Sequence, residues 1–273
     1  MKELNGSELA GFIQERQAKA VRGLKQAHLV QPKLAIVLTV DDPVIEIYMR
    51  LKSAYGKEIF TDVEIHRVKQ ADAISTINAL NKDDTVHGII VQLPLADSSQ
   101  TDEIINTVDP KKDVDALGKN AIYDPATPTA ILWLLAGYGI DLKNKKVALL
   151  GKGKLVGAPL EYMFKVSGVD AAAYGASDDI VKATKKADII ISAMGQPGLL
   201  TSAMIPQKCV VVDAGVAMES GKAVGDLAAD VYERTDLKVT PKRGGVGPLT
   251  VCALFENVIK AAKLSASAES DKR

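Results

Sequence analysis

KKVALL at 145–150 runs directly into GKGKLVGAP at 151–159, and the reading of this junction decides the fold. VALL is apolar without alternation, as expected of a strand buried on both faces. Gly151, Gly153 and Gly157 follow, and the residues after them, LEYMFKV, have a helical pattern. A strand, a glycine loop and a helix in that order form the context of a dinucleotide-binding turn. Glycines let the backbone turn tightly and approach a pyrophosphate, and the helix N-terminus offers unpaired N–H groups. The spacing departs from the usual fingerprint, with three residues before the last glycine instead of two, so a plain βα turn stays open.

The same alternation continues on both sides. After the loop come a DAAAY strand, an IVKATKKA helix, and the strands DIIISAM, CVVVDAG and KVTP. Before it lie a helix over 7–25 with Ser7 as its candidate N-cap, a strand at 34–40, and a helix opened by Asp42-Pro43. A strand at 62–68, a helix at 74–80, the strand GIIVQLPL at 88–95 and a helix at 102–108 complete this part. The polar stretch 111–127 reads as a boundary loop, with Pro128 opening the next helix. The expected fold is α/β with two domains, an N-terminal open α/β sheet domain and a Rossmann-like dinucleotide-binding domain. The first covers 1–117 and takes back a helix at 250–264; the second covers 118–249; residues 265–273 read as a disordered tail.

Composition narrows the function. The 273 residues suffice for two domains with real cores. Lys plus Arg and Asp plus Glu each number 34, which argues against nucleic acid or a membrane surface as partner. The two cysteines, Cys209 and Cys252, and three scattered histidines have no metal-ligand spacing, so no metal is expected, and the compartment reads as reducing and cytoplasmic.

The cofactor choice turns on the end of the strand after the loop. NAD sites place an acid there for the ribose hydroxyls. Here it reads AAYGAS (172–177), with no acid before Asp178, while Lys152 and Lys154 stand in the loop. That favours NADP and leaves NAD possible; Lys154 by itself reads as a solvent-facing charge. Four other stretches could carry chemistry. YMRLK puts Tyr48 and Lys52 on one helix face, which suits either proton exchange or an ordinary amphipathic helix. VQLPL delivers Gln92 to the carboxyl edge of a sheet, where ligands of open α/β folds bind. KKDVD would point Asp113 and Asp115 the same way if extended. PKRGGVGPLT (241–250) is a second glycine-rich loop, suited to close approach of a flat ligand.

Taken in order, these stretches resemble the methylenetetrahydrofolate dehydrogenase/cyclohydrolase family. Its typical patterns are DDP, YVxxK, VQLPLP, KDVDG, GRSxxVGxP and TPxPGGVGPMT. This chain has DDP at 41–43, YMRLK at 48–52, VQLPLA at 91–96, KDVDA at 112–116, GKGKLVGAP at 151–159 and TPKRGGVGPLT at 240–250. ADIIISAMGQPG (187–198), VVDAG (211–215) and GDL (225–227) extend the likeness over nearly the whole chain.

The resemblance implies NADP-linked oxidation of methylenetetrahydrofolate and hydrolysis of the methenyl product, within one-carbon metabolism that feeds purine biosynthesis. It makes Lys52 the key residue of hydrolysis, held and tuned by Gln92, with Tyr48 against the folate ring and Asp115 on the pterin edge. It assigns Gly151, Lys152 and Gly153 to the cofactor phosphates, Val216 to the adenine or ribose, and Thr127 to the cofactor face. Gly244, Gly245, Gly247, Pro248 and Thr250 would line the folate pocket. A homodimer is implied by the likeness alone.

The chain also departs from the family. Ala116 stands for a glycine, Lys152 for a possible phosphate-reading arginine, Arg243 for a proline, and Gly175 near a position often Ser or Arg. Lysine lacks the bidentate fork of arginine. The alternative is therefore a cyclohydrolase alone, with a degraded or NAD-specific cofactor site.

Overall fold

The computed structural model describes residues 2–219 and 222–270. In chain order the elements begin β1 (Lys2–Glu3), α1 (Gly6–His28), β2 (Lys33–Leu38), α2 (Pro43–Glu58), β3 (Asp62–Arg67) and α3 (Ala73–Lys82). There follow β4 (Gly88–Val91), α4 (Thr101–Ile105), α5 (Ala126–Gly137), β5 (Val147–Leu150), α6 (Gly157–Val166) and β6 (Ala171–Tyr174). The remainder is α7 (Ile180–Thr184), β7 (Ile189–Ser192), β8 (Val210–Asp213), β9 (Ala217–Glu219), β10 (Lys222–Val224), β11 (Lys238–Val239) and α8 (Val246–Ser270). Two compact units result, Met1–Ala10 with Thr127–Thr250, and Gly11–Ala126 with Val251–Arg273.

The second of these holds a parallel three-stranded sheet, ordered β3-β2-β4. β2 is buried along nearly its whole length. Ala35 and Val37 pack with Ile77, Leu80, Ile89, Val91, Ile104 and Ile105 in one core cluster. Leu34, Ile36 and Leu38 alternate with them and are buried too, so both faces are covered, which explains the unbroken apolar run. α2 starts where Asp42-Pro43 predicts: the Asp42 carboxylate accepts a hydrogen bond from the Ile45 amide at 3.3 Å.

The other unit holds a parallel six-stranded sheet, ordered β1-β11-β8-β7-β5-β6. The chain moves from β5 to one side (β6) and then returns to the other side (β7). The ends of β5 and β7 therefore form the switch point at which open α/β sheets bind ligands. β9 and β10 form an antiparallel pair outside the sheet.

Several expectations need correction. Residues 2–4 belong to the six-stranded unit, because the Lys2 and Leu4 amides donate to the Leu237 and Val239 carbonyls at 3.0 and 2.9 Å. α1 begins at Gly6, and its cap is Asn5, whose side-chain oxygen accepts from the Glu8 amide at 3.2 Å, not Ser7. The strand expected over 88–95 ends at Val91. α5 begins two residues before Pro128. The expected tail is helical through Ser270, with Ala262 and Ala266 buried on α8; residues 271–273 lie outside the described residues. The sequence reading also missed β1 and the β9–β10 pair.

Candidate active site

In the three-stranded unit, α2 follows β2 and carries Tyr48 and Lys52 one turn apart, with Ile45 and Met49 turned into the core. β4 ends at Val91, and Gln92 follows, its amide still donating to the Val37 carbonyl at 2.9 Å. The Lys52 ammonium donates to Gln92 Oε1 at 2.8 Å, and Gln92 Nε2 donates to the Leu93 carbonyl at 2.9 Å. The second bond fixes the amide so that its oxygen, not its NH2, meets the lysine. Desolvation by burial pushes the Lys52 pKa down, and the Asp115 carboxylate partly opposes the shift. Burial pushes Asp115 up, and the Lys52 charge partly opposes that. Tyr48 is half-buried on the same helix.

The KKDVD segment is a tight loop, not an extended one, so Asp113 and Asp115 have separate duties. Asp113 pairs beside Ile89 at the free side of β4. Its carboxylate accepts from the Gly118 amide at 2.8 Å and the Leu117 amide at 3.4 Å, which holds the turn. Lys112 donates to the Leu80, Asn81 and Asp83 carbonyls at the end of α3. Only Asp115 is left for the lysine. Ala116 sits at φ +57°, a left-handed backbone that costs a residue with a Cβ about 1–2 kcal/mol. Ala116→Gly is therefore expected to raise stability by up to about 1 kcal/mol after glycine's own entropy cost, read as a higher urea midpoint.

Asn257, which the sequence reading missed, holds the far side of this loop. It is buried on α8 and donates to the Val114 and Asp124 carbonyls at 2.9 and 2.8 Å. Its signal was present: a polar residue between the apolar positions Leu254, Phe255, Val258 and Ile259. Asn257→Ala strands two carbonyls and should cost about 2 kcal/mol in urea unfolding, with Asp115 less well placed. An unchanged midpoint would show that Asn257 does not hold the loop.

The six-stranded unit carries the glycine loop. Gly151 takes φ +112°, and a Cβ there would stand 2.6 Å from the Ala193 carbonyl oxygen after β7. A Cβ on Gly157 would stand 2.0 Å from the Gly151 carbonyl oxygen. Both glycines are demanded by the protein's own backbone. Gly153 is not: a Cβ there would meet nothing within 4 Å. The loop thus leaves open space at the switch point where a pyrophosphate binds in such sheets, and the residues present fit a dinucleotide. Lys152 is exposed, and its ammonium donates to the Asp178 carboxylate at 2.8 Å. Val216 is exposed just before β9.

The second glycine loop divides in the same way. The Gly244 carbonyl accepts from the Ser7 amide at 2.9 Å, and Gly245 lies against Gly6 and Thr240, so these two serve packing. Gly247 has open space around it, and Pro248 and Thr250 follow in the first turns of α8. Thr250 Oγ1 lies 3.5 Å from Thr127 Oγ1. The VVDAG and GDL stretches prove to be a clamp. Asp226 is buried and accepts from Ser192 Oγ and from the Met194 and Gln196 amides, while Asp213 accepts from the Gly215, Asp226 and Leu227 amides.

Comparison with known proteins finds two family models that follow one another along the chain. The model of the tetrahydrofolate dehydrogenase/cyclohydrolase catalytic domain matches residues 4–115, and that of the family's NAD(P)-binding domain matches residues 125–266. A curated relative, bifunctional protein FolD of Acetivibrio thermocellus, is 34% identical over 97% of this chain and 98% of its own length. The crystal structure of the bifunctional enzyme FolD, methylenetetrahydrofolate dehydrogenase/cyclohydrolase, from Campylobacter jejuni superposes with a TM-score of 0.91 at 33% identity, covering 97% of this chain and 99% of that one. The Trypanosoma brucei enzyme, solved with NADP cofactor and an inhibitor, gives a TM-score of 0.88 at 27% identity over 96% and 97% of the two chains. A lysine held by a glutamine in one unit and an open glycine loop in the other thus sit inside matched catalytic and NAD(P)-binding domains, and the chain belongs to the tetrahydrofolate dehydrogenase/cyclohydrolase family.

Proposed function

We propose that this protein oxidises 5,10-methylenetetrahydrofolate with NADP and hydrolyses the methenyl product to 10-formyltetrahydrofolate. The observation that carries the hydrolytic half is the Lys52 ammonium, bonded to Gln92 at 2.8 Å and held below its ordinary pKa by burial. A lysine that can lose its proton can serve as a general base. Water adds to the carbon between the two folate nitrogens and gives up a proton to Lys52. The resulting carbinolamine then breaks its bond to the ring nitrogen N5 as its hydroxyl loses the second water proton to solvent and becomes the formyl oxygen, and the lysine returns the first proton to N5. The cationic substrate depresses the lysine further as it binds. Gln92 holds the amine in place, Asp115 binds the pterin edge, and Tyr48 packs on the ring.

For the oxidative half, Gly151, Lys152 and Gly153 hold the cofactor phosphates, with Thr127 and Val216 along its length. NADP supplies a hydride acceptor, and the lone pair of the neighbouring folate nitrogen stabilises the cation that remains. That half needs orientation more than proton transfer, which suits a loop built from backbone. Among the described residues no helix is long and apolar enough to cross a membrane. The same reading makes the protein a cytoplasmic homodimer without nucleic-acid partners; the balanced charge supports the last point and the family likeness the dimer.

A paired absorbance assay tests this reading. Methylenetetrahydrofolate is mixed with the protein and NADP or NAD, following reduced nicotinamide, and methenyltetrahydrofolate decay is followed separately. Turnover with NADP together with accelerated decay is the expected result. Decay without nicotinamide reduction would leave a cyclohydrolase alone.

A further inference from the structure

Past the end of β6 the sequence has no acid at the usual ribose position, yet the fold supplies one. The turn after β6 closes on itself, the Asp178 amide donating to the Gly175 carbonyl at 3.1 Å. The Asp178 carboxylate is thereby carried back to the strand end, where Oδ2 accepts from the Gly175 amide at 2.7 Å. The same oxygen accepts from Lys152 Nζ of the glycine loop at 2.8 Å. The loop is itself tied to this strand, the Gly151 amide donating to the Tyr174 carbonyl at 2.7 Å. A Cβ on Gly175 would lie 3.6 Å from Lys152 Cδ and 3.8 Å from Asp178 Oδ2, so both side chains lie over that glycine.

An acid at this place suits the 2′-hydroxyl of NAD, and a cation suits the 2′-phosphate of NADP. This chain has both, bound to each other. The pair is partly exposed, with side-chain accessibilities of 56% and 37%, so it can open at modest cost. A 2′-phosphate must draw Lys152 away from Asp178 and then sit near the uncovered carboxylate. A 2′-hydroxyl can donate to Asp178 and leave the pair intact. We propose that Asp178 is a specificity-determining residue: by holding Lys152 and presenting a carboxylate at the 2′ position, it restrains the preference for NADP over NAD. This rests on the cofactor site proposed above.

The test is equilibrium titration of the whole protein with two probes that differ only at that position, adenosine 2′,5′-bisphosphate and 5′-AMP. Asp178→Asn keeps an oxygen for the Gly175 amide and removes the charge. It should tighten the bisphosphate about tenfold while changing 5′-AMP far less, and the gain should shrink as salt is raised. Lys152→Met should weaken the bisphosphate about tenfold and 5′-AMP little. Equal shifts for both probes in Asp178→Asn, or no tightening of the bisphosphate, would overturn the proposal and leave the cofactor site standing. If the wild-type protein binds neither probe, the cofactor site falls and the proposal with it.

Discussion

Lys52→Met should abolish methenyl hydrolysis, by about 10²–10⁴-fold, while NADP-linked oxidation continues and stability does not fall. The activity loss follows from removing the amine that Gln92 holds at 2.8 Å. The retained stability follows from linkage. Burial lowers the Lys52 pKa in the folded state, so the unfolded chain binds the proton more tightly. Lys52 therefore costs stability at every pH below its folded pKa, and that cost fades as pH rises toward its ordinary value near 10.5. Methionine has a similar length and no charge to bury. Thermal unfolding at neutral pH should show an unchanged or higher midpoint, and single-turnover assays should separate the two activities. Equal loss of both activities with a lowered midpoint would show that Lys52 is structural.

Gly157→Ala should damage the six-stranded unit itself. Its Cβ would stand 2.0 Å from the Gly151 carbonyl oxygen, and both partners are backbone, so no rotamer relieves the clash. The cost should be about 3 kcal/mol, at the upper end for overpacking, with cofactor binding lost as the loop is displaced. Gly153→Ala is the informative contrast. Nothing in the protein lies within 4 Å of its Cβ, so the thermal midpoint should stay put while NADPH binding weakens about tenfold. Thermal melts and NADPH fluorescence titrations check both variants. Unweakened binding in Gly153→Ala would mean that the open space at that glycine is not where the cofactor lies.

The sequence was most legible where one chain segment carries its own signal. The apolar runs at β2, β4, β5, β7 and β8 are each buried on both faces, and composition alone reveals that. β1 was invisible because its two residues, Lys2 and Glu3, are exposed and joined to β11 by backbone bonds to a segment more than 230 positions away. α8 ran past its expected end because Ala266 finds a buried place that composition does not announce. At the site, spacing alone left Asp113 and Asp115 equivalent and only the family likeness singled out Asp115, whereas the folded chain ties Asp113 to the turn at Ala116. Asp178 lay beyond the strand end and was discounted, though a four-residue turn brings its carboxylate back to Gly175 and Lys152. The alternation of strands and helices pointed to the fold, and the order of motifs pointed to the family. Which acid serves which partner depended on turns that only the folded backbone displays.

The central claim is that a half-buried lysine loses its proton to drive hydrolysis. The most direct measurement is the pH dependence of methenyltetrahydrofolate hydrolysis at saturating substrate, with the uncatalysed rate subtracted. The account predicts a rate that rises with pH through one ionisation, with a midpoint well below the 10.5 of an ordinary lysine, absent in Lys52→Met. A flat profile, or the same rise in Lys52→Met, would contradict it.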